Sequence, residues 1–447
     1  MLHAPTINML CAGLICLGVF FPAGPLHAES LANLLEKAIE SHDRVLAAKS
    51  DVIASQRRAW ETLGTWFPTL TPTANYGWEK QNKPLALDSS MPFKEFDLKL
   101  TQLLWDFGKT NALVDKARLT VLKSTVSLET ARRDMIMEAI SAYVNLLRSV
   151  DVLNFSIQSE ENISRQTGLE KALVESGSGL STDVLQAKTQ LAGAEARRIQ
   201  NEGRKISAMN RFQSVFNVAP ENIPDMERVA VPAASLPDGL DEALETAISN
   251  NTRLKTSRFD EEIAAYSISE VRGTKFFPKV EGTVERKWKE NVAGTVQYKG
   301  ETLAKVEMSI PFNLGLTGLD AVEAAKNDLL KAKQTTDAMR RTIEEEVRNA
   351  WSSLHIAERT SKSLLTQAGI SAAFLDLARK ERELGQRSLI DVLSGETSLI
   401  NAQSDAVSAE ADVIIAAFTL LNVTGKLDYA FLHIGEPPAD APESRQE

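Results

Sequence analysis

Few residues in this chain have a type and spacing that could do chemistry, and those few stand apart. Of the five histidines, only His42, His355 and His433 lie beyond the first 28 residues. None sits in the His-x3-His or Cys/His spacing that would hold a metal. The two cysteines, Cys11 and Cys16, fall inside an N-terminal apolar run, so the chain beyond it has no thiol chemistry and no disulfide. Gly177-Ser178-Gly179 has the glycines of a phosphate loop. It follows a helical stretch rather than a strand, however, and lacks the lysine a nucleotide site needs. The acidic run Glu344-Glu345-Glu346 suits a solvated helix face. The reading is a protein that is not an enzyme, with no cofactor and no metal site. A formal charge of -10 and the lack of a basic stripe also argue against nucleic acid as a partner.

The acids that stand out do so by duplication. Gly177 to Leu191 reads GSGLSTDVLQAKTQL, and Gly385 to Leu399 reads GQRSLIDVLSGETSL, about 208 residues later. Asp183-Val184-Leu185 aligns with Asp391-Val392-Leu393, and Thr189 with Thr397. Both aspartates would sit at the start of a helix, where the dipole favours a carboxylate. The repeat continues outward. Ala38-Ile39 and Arg44 recur as Ala247-Ile248 and Arg253, Gly64-Thr65 as Gly273-Thr274, and Phe67-Pro68 as Phe277-Pro278. The chain is therefore two copies of one unit, 29–235 and 236–428. Ahead of them, 1–28 reads as a secretory signal peptide ending at Leu26-His27-Ala28. Behind them, 429–447 reads as an acidic, disordered tail.

The elements that must carry the duplicated turns are long. Prolines are absent from 93 to 219 and from 312 to 436, and aromatics make up only 6%, the composition of extended helices or coiled coils. Each unit reads helix, strand, loop, strand, long helix, turn, helix. The first has a helix from about 30 to 63, a β-hairpin at 66–105, and helices at 109–176 and 181–217. A proline-bearing linker follows. The second has a helix, a β-hairpin at 276–312, and helices at 318–384 and 388–424. A helix of 109–176 would be roughly 100 Å long. Ile136, Ile140, Tyr143, Leu147 and Val150 form one heptad seam; Leu399, Ala402, Ala406, Ala409, Val413, Ala416 and Leu420 form another.

The strands alternate. Leu70, Ala74, Tyr76 and Trp78 oppose Thr71, Thr73 and Asn75; Val280, Val284 and Trp288 oppose Glu281, Glu285 and Lys287. Arg286 interrupts the apolar face. The loops are placed at 79–95 and 289–301. Trp66, Trp78, Trp105 and Trp288 gather near strand ends, as in an interfacial girdle. Beyond the first 28 residues no stretch approaches the ~18–20 apolar residues of a spanning helix. Any membrane crossing must then be a closed barrel. Four strands cannot enclose a water-filled space, so the chain must oligomerise, and three copies would bring twelve strands.

Taken together, the duplicated turns, the Phe-Pro strand starts and the junction Gln102-Leu103-Leu104-Trp105-Asp106-Phe107-Gly108 resemble the TolC family of outer-membrane efflux proteins. The resemblance covers essentially all of 29–428. It implies a homotrimer whose twelve-stranded β-barrel sits in the Gram-negative outer membrane, above an α-helical tunnel in the periplasm. It implies an export duct serving a tripartite efflux or type I secretion system, and the Trp105–Gly108 junction is similar to the secretion branch. The implied partners are a periplasmic adaptor (membrane-fusion) protein, an inner-membrane transporter of the ABC or RND type, and outer-membrane lipid. At the periplasmic tip the resemblance implies a gate of Asp183, Arg387 and Asp391. Asp391 would project into the closed tip and Arg387 would pair with an acid on the other hairpin, Asp183. Ser394 stands where a second tip acid is often found. Gly177, Gly179, Leu180 and Ser181, with Gly385, Ser388 and Leu389, become the adaptor-docking turns. The competing reading is a periplasmic or secreted coiled-coil scaffold without a pore. A periplasmic adaptor is a weaker third, having no need of two strand pairs with aromatic ends. The strands discriminate, because a channel requires one lipid-facing and one wet face on all four.

Overall fold

The computed structural model describes residues 31–82, 88–220, 223–294 and 296–428. The expected signal peptide and tail lie outside them, as do Cys11, Cys16 and His433. The first copy comprises α1 (Leu31–Ser41), α2 (Asp43–Leu63), β1 (Thr69–Gln81), β2 (Ser89–Trp105), α3 (Lys109–Glu175) and α4 (Ser181–Phe216). The second comprises α5 (Leu240–Asn250), α6 (Thr252–Lys275), β3 (Lys279–Glu290), β4 (Tyr298–Ser309), α7 (Thr317–Glu383) and α8 (Leu389–Thr424). The two long helices α3 and α7 are each 67 residues, and α4 and α8 are each 36.

Three expectations are corrected. The opening helix of each copy is two helices. His42 and Asn251 have extended backbones and cap the second segment: His42 Nδ1 accepts from the Arg44 amide at 3.2 Å, and Asn251 Oδ1 from the Arg253 amide at 2.9 Å. A capping side chain here competes with the continuous helix. The break lets the short first helix fold inward, burying Leu35 and Ala38 in one copy and Ala243 and Ala247 in the other. The hairpin loops are also shorter than read, because the strands run on to Gln81 and resume at Ser89, and run to Glu290 and resume at Tyr298. Cross-strand pairing extends through polar residues whose own strand signal is weak. Finally, α8 is long and apolar enough, by length and composition, to cross a membrane. Its apolar face instead packs against α7 and α3: Ala402, Ala406, Ala409, Ala417, Phe418, Leu420 and Leu421 are buried.

The four strands form one antiparallel sheet in the order β1-β2-β3-β4, which leaves β1 and β4 as open edges. Below it α2, α3, α6 and α7 stand side by side in the same order. Further along, α4 folds back on α3 and α8 on α7, with α8 also packing on α3. The main core lies where these layers meet α1, around Leu35, Met135, Ile140, Tyr143, Leu146, Phe212 and Phe418. Tyr143 is fully buried and donates to the Glu227 carbonyl at 2.8 Å. Burial, reinforced by the Glu227 charge, pushes its phenol up to about 12.

Candidate channel wall and tip

The register places one row of side chains across all four strands. Leu70 lies opposite Leu100, Leu100 opposite Val284, and Val284 opposite Ala304. Three residues along, the row is Thr73, Asp97, Lys287 and Glu301 on the other face. Alternation on each strand therefore adds up to one largely apolar sheet face, interrupted at Arg286 and Thr302, and one densely charged one. On the apolar face Val284, Val306 and Met308 are exposed. On the charged face the groups neutralise one another: Lys287 lies 3.1 Å from Glu285, and Lys289 lies 3.3 Å from Glu301 and 3.6 Å from Glu95. Such a division suits a sheet with lipid on one side and water on the other.

Aromatic residues mark two levels on the apolar face. Tyr76, Trp78 and Tyr298 are exposed near the hairpin ends, with Trp288 packed 5.5 Å from Phe96 just below. Trp105, Phe107 and Phe277 form a contiguous group at the helix end. Lys94 and Trp105 bracket a stretch of β2 of about ten residues, which suits a tilted membrane strand. Trp66, read as part of the hairpin, instead lies in the short 3-10 turn Gly64–Trp66 that ends α2. Arg286, the interruption, is accounted for: its guanidinium lies 5.5 Å over the Trp288 ring and donates to Thr302 Oγ1.

The strand-to-helix junction explains its own sequence. Phe107 and Gly108 both have positive φ (53° and 90°), making a sharp turn from β2 into α3. Asp106 is buried, and its Oδ2 accepts from the Thr110 amide at 2.8 Å and from the Thr110 hydroxyl. An acid here satisfies free amide groups of the first turn of a very long helix.

At the far end, both duplicated turns are Schellman caps. Gly177 (φ 79°) donates to the Val174 carbonyl and Ser178 to Leu173; Gly385 (φ 74°) donates to Arg382 and Gln386 to Glu381. The left-handed conformation is the reason glycine recurs. Asp183 and Asp391 both lie in the first turn of the following helix, and Ser388 Oγ accepts from the Asp391 amide at 3.4 Å. Leu180 is 65% exposed at the first tip.

Two expected assignments change within the protomer. Arg387 pairs with Glu381 of its own hairpin, Nε to Oε2 at 2.6 Å, and its guanidinium lies 5.3 Å from the Phe374 ring centroid. It does not reach Asp183, because the α7 end beside it offers a nearer acid. Leu389 is 2% exposed, packed with Ile163, Ala187, Ala194 and Leu393 between the hairpins. It is thus a core residue and not a docking surface.

The residues that do join the two hairpins were not legible beforehand. Arg382 on α7 reaches Glu170 on α3 at 2.8 Å. Glu396 on α8 accepts from Arg379 at 2.6 Å and from Asn162 on α3 at 2.7 Å. Both carboxylates are buried. Their only sequence signal is an acid at a seam position of a heptad. His355 pairs with Glu358 on the helix surface, and no cluster of metal-ligating residues occurs among the described residues.

The sequence pattern of the outer membrane efflux protein family matches residues 34–217 and again 243–426. This chain belongs to that family. The two matches coincide with the two halves of the repeat. Among curated relatives, it is 23% identical to outer membrane efflux protein BepC of Brucella suis biovar 1 (strain 1330), covering 94% of this chain and 90% of that one. It is 22% identical to outer membrane protein TolC of Escherichia coli (strain K12), covering 90% and 83%. Among solved structures, the CmeC outer membrane channel of Campylobacter jejuni superposes with a TM-score of 0.77 at 14% identity, over 95% of this chain and 96% of that one. The fold is that of a TolC-like channel. The protein is an outer-membrane efflux channel-tunnel of the tripartite type, reaching into the periplasm, and its family is one of channel proteins.

Proposed function

We propose that three copies of this efflux channel close a twelve-stranded barrel, each contributing one four-stranded sheet through its β1 and β4 edges. The observation that carries this reading is the two-faced sheet. Its apolar side suits lipid, its charged side suits a wet lumen, and its two edges have no strand partner among the described residues. A coiled-coil scaffold would have no use for such a sheet. The helices continue the barrel as a tunnel, and cargo delivered by an inner-membrane transporter of the ABC or RND type leaves through it.

The tip turns are the proposed gate and adaptor contact. Gly177, Gly179, Leu180 and Ser181, with Gly385 and Ser388, present the docking surface to a periplasmic adaptor. Asp391 is exposed, and three copies of it around an axis would repel one another and attract cations. Arg387 tethers its turn to α7 through Glu381, and Asp183 adds an acid to the neighbouring turn. Negative-stain electron microscopy of protein purified from outer membranes in detergent tests the assembly. A tapered threefold tube with a central lumen is expected; thin solid rods, or particles confined to the soluble fraction, would overturn it.

A further inference from the structure

The helical layer below the sheet is open on two sides. α2 touches α3, α3 touches α6 and α6 touches α7, so α2 and α7 stand at its edges as β1 and β4 stand at the edges of the sheet. The tandem repeat states what such an edge meets. α3 and α7 are the same element of the two copies and equal in length. Thr317 therefore corresponds to Lys109, Ala324 to Lys116, and Lys331 to Lys123. α6 and α2 correspond through Gly273-Thr274 and Gly64-Thr65, which sets Asp260 against Asp51 and Glu270 against Glu61.

Within the chain, the α3–α6 contact is close and charged. A Cβ at Gly273 would lie 2.6 Å from Lys109 Cβ, so glycine lets the start of α3 approach closely, and any larger residue must push it outward. Lys123 Nζ lies 2.5 Å from Asp260, and Lys116 Nζ 2.5 Å from Glu270. At the edges the same positions stand empty-handed. Nothing lies within 4 Å of a Cβ at Gly64, the repeat of Gly273. Asp51 and Lys331 are exposed and take part in no ion pair among the described residues. Asp328, one turn from Lys331 on α7, and Arg58, two turns from Asp51 on α2, are exposed and in no ion pair among the described residues. The two edges thus carry opposite charges at matching heights, and a glycine shaped for a neighbour the chain does not supply.

We propose that α7 of one copy packs on α2 of the next in the register of α3 on α6, with Lys331 paired to Asp51 and Thr317 seated against Gly64. The occupant of each edge is a second copy of this chain. The inference rests on the trimeric reading and adds which residues meet. Lys116 has no counterpart, since Ala324 takes its place; the joint between copies has one ion pair fewer at that level than the joint within a copy.

The test is a disulfide between Gly64→Cys and Thr317→Cys, with Cys11 and Cys16, the only cysteines of the chain, replaced by serine. The two positions lie on opposite edges of the layer, so a bond between them can only join copies. The Gly273–Lys109 approach of 2.6 Å is about 1 Å shorter than disulfide spacing, so a small outward shift of the helix start brings the corresponding Cβ atoms to bonding distance. Mild oxidation should yield covalent dimers and trimers on a non-reducing gel from the double variant and none from either single one. Gly273→Cys with Lys109→Cys should close within one chain without a change in mass. A threefold particle by native mass that forms no 64–317 bond overturns the register and leaves the trimer standing. A monomer from the Cys11→Ser, Cys16→Ser chain alone overturns the trimeric reading itself. If the double variant does not fold, a charge swap decides. Lys331→Asp and Asp51→Lys should each weaken trimer association by about fivefold, and together restore it; failure to restore overturns the pairing.

Discussion

Arg382 on α7 holds Glu170 on α3, Nη2 to Oε1 at 2.8 Å, and the carboxylate it holds is buried. The two residues belong to different hairpins, so the pair ties the two coiled coils of a protomer together close to their tips. Glu396, with Arg379 and Asn162, makes a second tie about two turns away along α3.

Removing one member of a buried pair leaves an uncompensated charge. Arg382→Ala should cost about 3–5 kcal/mol locally, and Glu170→Gln combined with Arg382→Gln distinctly less. Thermal unfolding and limited proteolysis at the tip turns would measure this. A double-variant loss equal to the sum of the two single losses would show that the pair does not act as a unit.

The tether at the second tip makes a sharper demand. Arg387 is bonded to Glu381, not Asp183. Arg387→Ser and Glu381→Gln should therefore raise single-channel conductance alike in planar bilayers, whereas Asp183→Ala should leave it near the parent value. The reverse pattern would mean that the arginine finds its partner across protomers.

Glycine substitutions separate conformation from space. Gly177→Ala and Gly385→Ala force a left-handed residue to carry a Cβ and should each cost about 1–2 kcal/mol. Gly168→Ala lies inside α3 with open space around it and should stabilise by about 0.5–1 kcal/mol. Hydrogen exchange of the tip amides, alongside melting temperature, distinguishes the two effects.

Neighbouring residues on β3 should respond oppositely to charge. Val284 faces the apolar side and Glu285 the charged side. Val284→Arg should destabilise the barrel in lipid by about 2–4 kcal/mol, and Glu285→Gln should leave folding unchanged while shifting ion selectivity toward anions. Folding yields into vesicles and reversal potentials would read the two outcomes.

Tyr143 gives a pH prediction with a definite sign. Its folded-state value is raised from 10.0 to about 12, so its contribution is complete below about pH 10 and is lost as pH rises toward 12. Alkaline melting curves should show that loss in the parent and not in Tyr143→Phe, which should itself cost about 1 kcal/mol at neutral pH by removing the bond to the Glu227 carbonyl.

Much of this architecture is local in origin and so was written in the sequence. Proline-free heptads set the long helices, period-two alternation set the faces of the strands, and the duplicated glycines set both tip turns, because each depends on residues within a few positions of one another. The repeat itself was legible from Gly177–Leu191 and Gly385–Leu399 alone. What only the tertiary structure decided is where chains of side chains meet across elements. Arg387 could have reached several acids, and the turn that ends α7 folds it back onto Glu381. Leu389 reads like a tip residue until α8 lays it against Ile163 and Ala187. Glu170 and Glu396 look like surface acids on any heptad, and become buried ties because two hairpins pack face to face. Such pairings depend on contacts between residues up to hundreds of positions apart, which no local period encodes.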